Sequence, residues 1–186
     1  MSERGRRWLW RCGLGLTLCA TLAALLVGPW RTLVGTVAGS PPGDALHSCP
    51  AGTAFPIMDS PHVSQSEMEQ VRYNSQPPTS GPHFAFSLAP GRYTVAVPEG
   101  LAVHAMEHGH VIILYAETTP ETTIADLERV AKRHADKVVL APSEKLSDGI
   151  AMTAWGCLET LSGYDESAVE RFVVTLGGRY DHGWRR

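Results

Sequence analysis

The sequence predicts an α+β domain: a small mixed β-sheet with two helices packed on it, preceded by one transmembrane helix. Three observations predict it. Short apolar or alternating stretches recur between Arg92 and Leu158, as strands do. Two segments with a helical apolar period open at Thr119 and at Asp165. Upstream of both, Cys12 to Trp30 is a run of 19 residues without a charge.

That run sets the domain organisation. As a helix it measures about 28 Å, close to the hydrocarbon thickness of a bilayer. Arg4, Arg6, Arg7 and Arg11 precede it, Arg31 follows it, and Trp8, Trp10 and Trp30 suit the interfaces. The positive-inside rule then makes residues 1–11 a cytoplasmic terminus and 12–30 a single-pass anchor in the cell membrane, with the rest outside. The rival is a cleaved signal, with Val37-Ala38-Gly39 before Ser40 as the processing site and a secreted product. That site lies far from the apolar run and Arg31 interrupts the approach, so the retained anchor is preferred. Residues 31–58 are rich in proline and glycine and read as a linker. The extracytoplasmic globular domain is expected over 59–186.

Charge excludes one class of partner. Residues 1–31 carry five arginines against Glu3, a net of +4; the chain totals -3, which leaves -7 on the remainder. No basic stripe occurs there, so nucleic acid is not an expected partner. Hydrophobic residues at 44% and charged residues at 19% describe a chain that can bury a core.

Arg92 to Val97 alternates and reads as a strand, and His110 to Tyr115 is apolar on both faces, as in a central strand. Thr119-Pro120-Glu121 opens a helix whose apolar face is Ile124, Leu127, Val130 and Ala131. Lys137 to Ala141 and Ile150 to Leu158 read as two more strands. Asp165 caps a last helix with Val169, Phe172, Val173 and Leu176 inside and Gly177-Gly178 as its stop. A ferredoxin-like arrangement is one option for this half.

The chemistry concentrates in two stretches. His104-Ala105-Met106-Glu107-His108-Gly109-His110 holds three of the eight histidines, and Tyr73 to His83 is a proline-rich loop ending in a fourth. Neutral imidazole is the commonest metal ligand. A helical turn before Gly109 puts His104 and His108 on one face. His83, carried by the rigid loop, completes three ligands, with His62 or Met106 as a fourth. Glu107 and His110 are supporting groups or alternative ligands. Imidazoles with a thioether suit copper, imidazoles with a carboxylate suit zinc, and copper is favoured. His104 to His108 also fits H-x-x-E-H of inverted zinc proteases, but Gly109 cuts the helix that motif needs. His134 is placed on the solvent side of its helix. Cys49 and Cys157 face an oxidising compartment and are candidates for a disulfide.

Together, Tyr73-Asn74-Ser75, Pro77 to His83, His104, Glu107-His108-Gly109, Val111 and Tyr115 resemble an uncharacterised bacterial family, domain of unknown function 3105. The likeness extends to His62, to Ala154-Trp155-Gly156 and to Phe172, covering about Asp59 to Leu176. It implies a membrane-anchored or secreted protein and brings no agreed activity. Relatives tend to carry an aliphatic residue where this chain has Met106.

The expected function is a membrane-anchored extracytoplasmic protein that binds a transition metal through its histidines. One alternative is a metal-dependent enzyme using Glu107 or His110 for proton transfer at an open metal position. Another is an interaction module that uses the proline loop as a docking surface and needs no metal.

Overall fold

The central strand explains the rest of the architecture. Val111–Ala116 (β3) has all six residues buried, so both its faces and both its edges must be covered. The computed structural model describes residues 48–180, and in it β3 lies between Val138–Ser143 (β4), to which it is parallel, and Ile150–Ala154 (β5), to which it is antiparallel. Ile113 pairs with Leu140 on one side and Met152 on the other. Cys157–Leu161 (β6) follows β5 through a two-residue hairpin. Thr53–Ala54 (β1) and Gly91–Arg92 (β2) are short edge strands. The order is β1-β6-β5-β3-β4-β2, a six-stranded mixed sheet.

Four helices accompany it among the described residues: Gln65–Met68 (α1), Glu99–Glu107 (α2), Glu121–Arg133 (α3) and Glu166–Leu176 (α4). The α+β class is as the sequence predicts. The apolar faces read for α3 and α4 are the buried ones, and they pack on Val111, Ile113, Val138, Leu140 and Met152. Asp165 caps α4 by accepting from the Ala168 amide at 3.1 Å.

Several expectations are corrected. The helices number more than two, because α2 packs on the opposite sheet face against Ile112, Leu114, Val139 and Ala141. Its nine residues are buried from Ala102 to Glu107, so no amphipathic period betrays it. Residues 93–97 are not strand; of the alternating stretch only Arg92 is in a strand, β2, which pairs with β4 at Gly91 and Arg92. Residues 150–158 form not one strand but part of a hairpin turned at Trp155-Gly156, where Gly156 has φ +74° and a Cβ would meet Ile57 Cδ1 at 2.6 Å. The ferredoxin-like option fails because β3 and β4 are direct neighbours with no strand between them. The fold also starts before Asp59: β1 pairs with β6, and Cys49 is disulfide-bonded to Cys157 across 108 residues. The expected anchor at 12–30, its cytoplasmic flank and most of the linker lie outside the described residues. Among the described residues, no helix is long and apolar enough to cross a membrane.

Candidate metal centre

Two chain segments run side by side to begin the site. Residues 61–63 and the end of the proline loop form a short parallel bridge, with the His83 amide donating to Pro61 O at 3.1 Å and the Val63 amide to His83 O at 2.8 Å. This brings His62 next to His83. The loop is held from several sides. Tyr73 Oη donates to Pro82 O at 2.8 Å, the Met58 amide to Ser80 Oγ at 3.0 Å, and the Gly156 amide to Thr79 O at 2.9 Å. Burial, aided by Glu99, pushes the Tyr73 hydroxyl up to about 12, so it remains a donor. Gly81 has φ +121° and a Cβ there would sit 3.2 Å from the Tyr73 ring. Thr79, Ser80 and His83 are fully buried. The loop is tied to the body by these bonds and carries His83, and its centre is interior rather than an exposed docking surface.

The last turn of α2 supplies the other wall. His104, Glu107 and His108 fall at i, i+3 and i+4 and so share a face. Gly100 lets this helix approach the loop: a Cβ there would lie 2.6 Å from Met68 Cε and 2.9 Å from the Phe84 ring. The Phe84 carbonyl thereby reaches His104 Nδ1 at 2.7 Å. Gly109, at φ +83°, ends the helix where a Cβ would meet Tyr180 O at 2.5 Å.

The hydrogen bonds settle the tautomers. A carbonyl oxygen only accepts, so His104 Nδ1 carries a proton for Phe84 O. His83 Nδ1 carries one for Gly81 O, at 2.9 Å. In the neutral ring each Nε2 is then a bare lone pair. His83 Nε2 is buried and lies 3.2 Å from Glu107 Oε2. With the ring neutral, that lone pair and the carboxylate are close enough to reach one cation together. Glu107 Oε1 accepts from Ser60 Oγ at 3.1 Å, which orients the carboxylate.

His62, His83, His104 and Glu107 each offer a ligand atom, and these atoms lie within 4.8 Å of one another. The ring centroids of the three histidines are 4.8 to 5.0 Å apart. His62 is exposed while the other three are buried, so the group opens to solvent on the His62 side. Burial is the main reason the His104 pKa falls below its ordinary value; the Phe84 carbonyl opposes this, and His83, His108 and His62 add to it. A neutral imidazole is the form that binds metal.

The remaining candidates separate. His108 is outside the converging group and meets His104 instead, Nε2 to Nε2 at 2.8 Å. Glu107, read as a supporting group or alternative ligand, stands inside it. Met106 is 1% exposed in the apolar cluster under α2, two residues and therefore about 200° around the helix from His104. The thioether argument for copper is lost with it. His110 is also outside, its Nδ1 buried with no hydrogen-bond partner among the described residues, and burial is the main cause of its lowered pKa. His134 is half-buried and paired with Glu170 at 2.7 Å rather than on the solvent side. Ser60 and the carbonyls of Gly81 and Phe84 escaped the sequence reading. Backbone acceptors carry no side-chain signature, and a lone serine before proline gives none either.

Fold and site together define a class: an α+β domain with a largely buried histidine–carboxylate group that could hold a metal ion. The family model described as "Protein of unknown function (DUF3105)" matches residues 62–183. The chain belongs to that family. No curated protein and no solved structure matches it.

Proposed function

We propose that this chain is a membrane-anchored, extracytoplasmic transition-metal-binding protein, with the ion held by His62, His83, His104 and Glu107. The observation that carries the reading is the convergence of ligand atoms from His62, His83, His104 and Glu107 within 4.8 Å of one another, with the Nδ1 proton of His104 committed to Phe84 O so that its Nε2 is the atom it offers. Three imidazoles and a carboxylate suit zinc or copper(II), and the position of Met106 gives no reason to prefer copper. Extracytoplasmic placement is supported by the uncharged run at 12–30 with its arginine flank and by the Cys49–Cys157 disulfide, which belongs in an oxidising compartment. Exposure of His62 favours a site that exchanges its ion over a closed structural one.

The test is metal content of the full chain, purified in detergent without a histidine tag. One zinc or copper per chain is expected, lost in His83→Ala. A proton shared between His83 and Glu107 would occupy the same place; absence of bound metal and of micromolar uptake establishes that instead. A reporter fused after Arg186 is expected to be active only outside the cytoplasm. Cytoplasmic activity refutes the topology.

A further inference from the structure

His104 has one lone pair and two claimants. Its Nδ1 proton is committed to the Phe84 carbonyl at 2.7 Å, so Nε2 is the only atom it can offer. His108 Nε2 lies 2.8 Å from that atom, and the two rings stack at 23° with centroids 4.8 Å apart. Two ring nitrogens at that distance need a proton between them. His104 Nε2 has none to give in the neutral ring, so His108 is the donor.

We infer that His108 is a displaceable cap on the metal site: it holds the His104 lone pair by a hydrogen bond, and an incoming ion must break that bond to gain its fourth ligand. The inference rests on the metal reading above and deepens it by assigning how that site is regulated. His83 and Glu107 already face the site, and His62 stands at its exposed side. These three receive the ion, and His104 joins when His108 lets go. His108 is the helix C-cap residue and only half-buried, so its ring has room to turn toward solvent. The cap stabilises the metal-free arrangement and therefore weakens the metal-bound one. A permanent structural site gains nothing from such a competitor, whereas a site that passes its ion on does.

The test uses the full chain in detergent and zinc alone, with affinity read by competition against a chromophoric chelator. His108→Ala is expected to bind zinc between about twofold and tenfold tighter than wild type, the range one net hydrogen bond implies. His108→Gln, whose amide can donate from nearly the same position, is expected to return affinity to the wild-type value. Weaker binding in His108→Ala makes His108 a ligand and overturns the inference; unchanged affinity overturns it as well. Nitrogen-15 spectra of the wild-type histidine rings give an independent readout. On zinc addition, His104 Nε2 should move to a metal-bound shift while both His108 nitrogens remain unbound, and a metal-bound His108 nitrogen contradicts the assignment. Failure of wild type to bind zinc or copper would instead remove the metal reading itself, a separate outcome.

Discussion

Alanine at position 100 tests how the fold aims the site. Gly100 is a helical residue with no side chain to offer the site, so a simple helix argument predicts a gain of up to about 1 kcal/mol from propensity. The packing predicts the reverse. A new Cβ lies 2.6 Å from Met68 Cε and 2.9 and 3.0 Å from two ring carbons of Phe84. The methionine methyl can swing aside, but the Phe84 ring must retreat by about half an ångström or more to recover ordinary contact near 3.5 Å. Ring and carbonyl belong to one residue, and that carbonyl is the acceptor 2.7 Å from His104 Nδ1. Overpacking of this kind costs roughly 1–3 kcal/mol. Set against the propensity gain, the net loss is about 0–2 kcal/mol. The larger effect falls on the site: a ligand that loses its orienting partner binds metal about tenfold or more weaker. Urea unfolding of the metal-free chain and a zinc competition titration measure the two quantities. A Gly100→Ala protein that is more stable and binds zinc as well as wild type refutes the reasoning.

Other predictions follow from the same geometry. His104 and His110 both titrate below their ordinary 6.5, chiefly because they are buried. A lowered folded-state pKa contributes stability that is present above about 6.5 and declines as pH falls through the folded-state value; chemical denaturation of the metal-free chain should show that decline, and a flat profile across this window contradicts it. Metal should leave over the same acid range, because protons compete for each imidazole. His134→Ala removes the bond to Glu170 and should lower stability by up to about 1 kcal/mol while leaving zinc affinity unchanged; an altered affinity would mean the site extends to α3. Glu170 is pushed up by burial, but its hydrogen bonds from His134 and Arg133 outweigh this and hold it below 4.5. Its contribution is thus present above about pH 4.5 and lost on further acidification, and Glu170→Gln should abolish that step in an acid-unfolding curve. Cys157→Ser opens a loop spanning 108 residues and should cost on the order of 4–5 kcal/mol by chain entropy, read as a lowered denaturant midpoint.

What could be read from sequence followed from periodicity and from residue type. The buried strand β3, the helices α3 and α4 and the Asp165 cap each carry a local pattern that their environment preserves. The α2 helix does not, because a helix buried on most sides loses the polar face that marks a period. The edge strands β1 and β2, two residues each, are set by their partners in β6 and β4 rather than by propensity. At the site, His83 and His104 stood out because a proline-rich loop and a short histidine-dense stretch carry them, whereas the four-residue spacing pointed to His108, which lies outside the converging group, and His62 was one of two options for a fourth ligand. The division of labour between Glu107, Met106 and His108 was not. It depends on which face of α2 meets the bridge between 61–63 and 82–84, and that contact joins residues far apart in the chain.

X-ray absorption at the metal edge of the zinc- or copper-loaded full chain tests the central claim most directly. The account predicts four nitrogen or oxygen neighbours near about 2.0–2.1 Å, three of them showing the outer-shell scattering of imidazole. One imidazole should disappear in His62→Ala, in His83→Ala and in His104→Ala, and none in His134→Ala. A sulfur neighbour near about 2.3 Å, or fewer than three imidazoles in wild type, contradicts it.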